Sequence, residues 1–126
     1  MNKKKDVREG CAQCNTLYGL ENPRMNSLRN SRNYIALTKD NPRKPSLIMI
    51  VPRAHKRKVS DIMNNKTSAD EAQNFVAQVL SHCENRLKCG WKAFQVIWKD
   101  GRESITVSQT YTHLKTHAHA EIHIIY

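Results

Sequence analysis

The chain has 126 residues, with 21 Lys or Arg against 11 Asp or Glu, a formal net charge of +10 when histidine is neutral. That length suits one domain with a single hydrophobic core, and the basic excess goes beyond what solubility requires, so an anionic partner is expected: a nucleotide, a nucleic acid or a phosphorylated metabolite. No apolar stretch follows the basic start, and the longest aliphatic run, residues 47–51, cannot span a bilayer, so neither a secretory signal nor membrane association is expected, and the protein is read as soluble and cytoplasmic.

In chain order, residues 1–10, with Lys3, Lys4 and Lys5 in a row, read as a basic disordered tail, and residues 11–126 as one domain. Residues 22–33, rich in Asn, Ser and Arg, read as a loop, and residues 33–37 as the first strand. Turn signals fill residues 38–45. A buried-looking strand covers 46–51, and Pro52 stops it. Residues 53–63 are helix-like, with His55 at their beginning. A longer helix starts near Ser68, where Ser68 and Glu71 match a capping box, and Phe75, Val76, Val79, Leu80, Cys83 and Leu87 form its apolar stripe. Gly90 ends it. Residues 91–98 alternate as a strand, 99–102 read as a hairpin turn, and 102–111 alternate again. Strands before and after two helices, ending in hairpin-linked strands, predict an α+β domain with an antiparallel sheet.

The last segment is the most informative. From His117 to Tyr126 the chain alternates a chemically loaded side chain with an apolar one, the pattern of a strand with two unlike faces. His117, His119, Glu121 and His123 share one face. Ala118, Ala120, Ile122 and Ile124 share the other and are free to pack into a core. Isolated sheet-surface histidines, such as His82 or His113, are expected to be solvated bystanders, but this cluster is hard to explain by packing.

The four cysteines are not expected to form a disulfide framework in a reducing compartment. Cys11-x-x-Cys14 is then a metal hook or a redox dithiol. A redox pair ordinarily opens a helix after a strand, whereas Cys11 follows a polar tail, so the metal reading is favoured. With His55 and His117 the pair would make a tetrahedral Cys2His2 zinc site, structural rather than catalytic, whose binding free energy of about 10 kcal/mol or more would fix the N-terminal segment. Cys83 is expected in the core, and Cys89 at the helix end has no expected role.

With His117 assigned to metal, His119 is one strand-step further on, placed to attack phosphorus in a bound nucleotide or sugar phosphate. Such a nucleophile works when its other ring nitrogen donates to a fixed acceptor, which selects the tautomer and stabilises the imidazolium-like transition state. Phosphate-positioning candidates near the motif include Gln109, with Ser108, Lys115 and Thr116 not distinguished from it by spacing.

The sequence His117-Ala-His119-Ala-Glu121-Ile resembles the His-x-His-x-Gln-Ile signature of the galactose-1-phosphate uridylyltransferase branch of the histidine triad superfamily. Cys11-x-x-Cys14 is similar to that branch's zinc hook, residues 33–37 to its first strand, and the segment from Leu47 through Pro52 to His55 to the strand, proline and histidine before its first helix. The likeness spans roughly residues 11–126. It implies a structural zinc on Cys11, Cys14, His55 and His117, a nucleotidyl-histidine formed on His119, a nucleotide or nucleotide-sugar substrate, and a homodimer; Gln109 and His123, near the motif, are the candidate substrate contacts. Glu121 departs from the pattern: the transferases have a glutamine there and the triad hydrolases a histidine, and an ionised carboxylate would repel the phosphate. Glu121 is therefore protonated or rotated away, has an acid/base role, or impairs catalysis. A second register, shifted by two, reads His119, Glu121 and His123 as a triad whose central nucleophile is glutamate, and it predicts an inactive protein.

Two other functions compete. His117, His119, His123 and an acid could bind a catalytic metal directly and activate water. Alternatively, the chain is a catalytically inactive, zinc-stabilised nucleotide- or nucleic-acid-binding module that uses Arg43, Lys44, Lys56, Arg57, Lys58 and the basic tail on phosphates, with Trp91, Trp98 and Tyr111 for stacking, unless the tryptophans are core residues.

Overall fold

A computed structural model describes residues 26–38, 41–101 and 117–126. The tail at 1–10, Cys11, Cys14, Gln109 and the strand expected at 102–111 lie outside the described residues.

Five strands form one sheet: β1 (Asn26–Asn30), β2 (Tyr34–Thr38), β3 (Leu47–Pro52), β4 (Ala93–Lys99) and β5 (His119–Ile125). Their order is β1-β2-β3-β5-β4, and every neighbouring pair is antiparallel. Two helices lie between β3 and β4: α1 (Ser60–Met63) and α2 (Lys66–Ser81), the latter running into a π-helical turn at His82–Arg86. This is the antiparallel α+β architecture that the sequence predicts. The histidine strand β5, last in the chain, lies between β3 and β4, so its backbone is hydrogen-bonded on both sides.

Alternation along β5 separates two environments. Ala118, Ala120, Ile122 and Ile124 join Ile48 and Ile50 of β3, Tyr34 and Ala36 of β2, and Phe75, Val76, Val79 and Cys83 of the helical layer in the main core. Each fully buried aliphatic side chain there contributes roughly 1.5–3 kcal/mol relative to exposure. The opposite face of β2 and β3 carries a second buried cluster, Ile35, Leu37, Met49 and Val51. Met49 pairs in register with Glu121, so that cluster lies alongside the polar residues of β5.

Several local expectations are corrected. Residues 22–33, read as a loop, contain β1. Its sequence has one apolar residue and no alternation, but as an edge strand with mostly exposed side chains it needs only main-chain pairing to β2. The helix expected over 53–63 is confined to Ser60–Met63. The carbonyls of Lys56 and Arg57 are taken instead by the N–H groups of Ala118 and Gly101, each at 2.6 Å, and so are lost to helical bonding. The long helix is capped by Asn65 rather than Ser68: the Asn65 side chain accepts from the Ser68 N–H at 2.8 Å, starting the helix earlier, at Lys66. At its far end the Leu87 N–H reaches the His82 carbonyl, then Lys88 and Gly90 adopt φ of +51° and +67°. The segment is thus terminated at Lys88, the left-handed residue just after the Leu87 cap, rather than at Gly90 as expected; Gly90 lies beyond the helix end in a conformation that favours glycine. Trp91 precedes β4, so it does not alternate with Trp98 as two positions of one strand would, and both pack against the main core. Cys83 is buried there as expected. Cys89 is buried too, with its Sγ 3.6 Å from the Arg43 carbonyl.

Candidate active site

The register of β5 brings His119, Glu121 and His123 onto the face opposite the helices, across from Lys99, Ile97 and Gln95 of β4. His117, His119 and Glu121 are 0, 1 and 2 % exposed, and the His123 side chain is about half-exposed. Polar groups so deeply buried require partners, and each has one.

His117 lies just before the strand. Its Nδ1 is 3.0 Å from the carbonyl oxygen of Pro52, which only accepts, so Nδ1 carries the proton and the lone pair is on Nε2. That tautomer suits a metal-ligating histidine, whose other nitrogen is ordinarily fixed by a carbonyl or carboxylate. The His55 ring meets His117 edge-on, with centroids 4.6 Å apart. The two histidines of the expected zinc set are therefore neighbours, though one comes from the segment after β3 and the other from the far end of the chain. Among the described residues no group of three or more His, Cys, Asp or Glu is arranged to hold a metal ion. The donor types that are described fit half of a tetrahedral thiolate–imidazole set.

His119 is fixed in the same way. Its Nδ1 donates to the carbonyl of His117 at 3.0 Å, which directs Nε2 onto the polar face. There Nε2 meets Oε2 of Glu121 at 3.0 Å. A nitrogen and a carboxyl oxygen at that distance hold one proton between them. The other carboxyl oxygen of Glu121 is 3.2 Å from Nε2 of His123 and 3.3 Å from Nζ of Lys99. The buried carboxyl group is thus held by two ring nitrogens and by the Lys99 ammonium, whose charge offsets that of a carboxylate.

The structure brings together His55 with His117, and His119 with Glu121 and His123. Lys99, expected in a hairpin turn, instead ends β4. The residues from Ala93 onward alternate as a strand, but only the pairing of Lys99 with His119 across β4 and β5 reveals its place. A surface groove of about 750 Å³, lined by residues including Arg29, His82 and Arg86, lies between β1 and the end of the helical layer and contains none of the β5 histidines.

No protein-family model matches the chain, and no curated protein matches it. Solved structures do. A histidine triad protein from Clostridium difficile is 19% identical with a TM-score of 0.61, the likeness covering 94% of this chain and 93% of that one. A HIT family hydrolase from Clostridium thermocellum is 19% identical with a TM-score of 0.64 over 95% and 94% of the two chains. A histidine triad nucleotide-binding protein from Candida albicans is 17% identical with a TM-score of 0.55, over 89% of this chain and 72% of that one. At such identities the likeness establishes the fold, and the chain shares the fold of these histidine triad proteins.

Proposed function

We propose that the protein is a nucleotide phosphate hydrolase or nucleotidyltransferase that works through a nucleotidyl-histidine on His119. The observation that carries this reading is a buried imidazole whose Nδ1 proton is tied to the His117 carbonyl, which leaves Nε2 as the nucleophilic atom. Nε2 attacks phosphorus, the P–N bond forms as the leaving group departs with its electron pair, and water or a second acceptor then cleaves that bond. Solved structures of the same fold include a hydrolase and a nucleotide-binding protein, which supports the assignment.

In this scheme Glu121 gates the nucleophile, because its carboxyl must take the shared proton and leave Nε2 with a free lone pair before attack. His123 and Gln109 position the phosphate once Glu121 has moved. Cys11, Cys14, His55 and His117 would hold a structural zinc, which would fix the N-terminal segment and take no part in the chemistry.

One observation favours a second reading. Glu121 sits between His119 and His123 and contacts both, as the centre of a triad without a nucleophile would. That reading gives a nucleotide-binding protein without turnover. The test is release of nucleoside monophosphate from nucleoside phosphoramidates, dinucleoside polyphosphates and nucleotide sugars, with mass spectrometry of the acid-sensitive, base-stable His119 adduct. Turnover and adduct in the wild type, both lost in His119→Ala, support the enzyme. Nucleotide binding with no turnover across the panel, in folded protein, supports the second reading.

A further inference from the structure

We propose that residues 56–58, Lys56-Arg57-Lys58, form a fixed basic strap that binds single-stranded nucleic acid and delivers its terminal phosphate to the β5 site. The inference rests on the reading of His119 as a phosphate-directed centre and names the class of substrate that it serves.

Three consecutive basic residues are ordinarily a solvated, mobile surface. Here the backbone that carries them is sewn to two strand ends. The Ala118 N–H donates to the Lys56 carbonyl and the Gly101 N–H to the Arg57 carbonyl, both at 2.6 Å, and the Val59 N–H donates to Oδ1 of Asp100 at 2.7 Å. Ala118 lies between His117 and His119, and Lys56 follows His55, whose ring meets that of His117. The strap is thus attached to the site at both of its chain connections. Lys99, half-exposed and paired in register with His119, lies at the same end of the sheet, where its ammonium is held by Glu121 at 3.3 Å.

Fixing the backbone in advance removes an ordering cost that a flexible basic tail would meet on binding. Among the described residues no carboxylate forms an ion pair with Lys56, Arg57 or Lys58; the one acid hydrogen-bonded to the strap, Asp100, keeps its charge and accepts from the Val59 N–H, so the strap retains a net positive charge of two against it. A free mononucleotide would not need this many cations. A net charge of +10 on 126 residues suits a polyanion whose successive phosphates continue along the protein surface. His119 is 1 % exposed, so a phosphate that reaches it must come from a thin strand end rather than from within a duplex.

The experiment is fluorescence anisotropy with a fluorescein-labelled oligothymidylate of about fifteen nucleotides, in salt from about 50 to 200 mM. It compares the wild type, the triple variant Lys56→Gln, Arg57→Gln, Lys58→Gln, and the tail variant Lys3→Gln, Lys4→Gln, Lys5→Gln, each shown to be folded by circular dichroism. At about 0.7 in slope per phosphate contact, the strap variant is expected to lose about 2 from the slope of log affinity against log salt, and on the order of tenfold in affinity at low salt. The tail variant is expected to keep most of the wild-type slope. An unchanged slope in the strap variant overturns the proposal. So does loss confined to the tail variant, or binding to phosphatidylserine vesicles with none to the oligonucleotide. Binding is read without turnover, so a wild type that binds through the strap but releases no nucleotide fails the reading of His119 and not the strap.

Discussion

Nε2 of His119 and Oε2 of Glu121 are 3.0 Å apart, and the Nδ1 proton of the same imidazole is already committed to the His117 carbonyl. The imidazole is therefore bonded at both ends, and the nitrogen that the proposed mechanism uses for attack is the one held by a carboxyl. Lys99 and His123 hold the other oxygen of that carboxyl, so the cluster opposes release of Nε2.

Replacing Glu121 by Gln removes the charge and weakens this hold while keeping the side chain's shape. A hydrogen bond to a charged group contributes about 1.5–3 kcal/mol, so Glu121→Gln is expected to accelerate adduct formation on His119 by roughly ten- to a hundredfold. Rapid-quench single-turnover kinetics with a nucleoside phosphoramidate measures this. A rate no higher than that of the wild type would remove the gating role from Glu121.

The zinc assignment makes a stoichiometric prediction. Purified protein is expected to carry one zinc per chain by elemental mass spectrometry, and Cys11→Ser, Cys14→Ser and His117→Ala each to lose most of it. Chelation should lower the thermal midpoint, because a metal bound only by the folded chain contributes its binding free energy to folding. Full zinc occupancy in Cys11→Ser would exclude the hook.

Burial of the Cys83 thiol, followed in effect by its contact with Cys89, pushes its pKa up to about 12. The thiolate is the reactive form, so in native protein near pH 8 Cys83 is expected to resist iodoacetamide and to react fully once unfolded in urea. Peptide mass spectrometry distinguishes the sites, and modification of Cys83 in the native state would contradict the packing described.

His82, at the start of the π-helical turn, is held below the ordinary histidine range by burial and then by the positive charges of Arg29 and Arg86. As pH falls, the unfolded chain takes up this proton before the folded one. Its contribution to stability is therefore complete above the unfolded value of 6.5 and is lost as pH falls through the lower folded value. Urea midpoints between about pH 7.5 and 5.5 should fall less in His82→Gln than in the wild type. Equal falls would mean that other groups dominate.

Ile122 lies at the centre of β5 on the core face, 0 % exposed and paired with Ile48 and Val96. Ile122→Ala is expected to cost about 2–5 kcal/mol, read from the urea midpoint at unchanged slope.

Much of the fold was visible in local pattern. β5 was legible because its alternation is strict and its two faces differ in chemistry, and the helical stripe from Phe75 to Leu87 because burial against a sheet demands apolar spacing. β1 was not, because an edge strand held by main-chain bonds leaves no mark in its side chains. Nor was the unwinding of residues 53–59, since the competitors for those carbonyls, Gly101 and Ala118, are distant in sequence.

By itself, the sequence determined the α+β class, the two-faced histidine strand and the pairing of chemistry-bearing with core-facing residues, all of which follow from periodicities of two and three to four. Only the tertiary structure decided that His55 meets His117, that Lys99 faces His119, and that Glu121 closes on Nε2. These contacts depend on strand order and register, set by where β5 inserts between β3 and β4 and not by the neighbours of any residue along the chain.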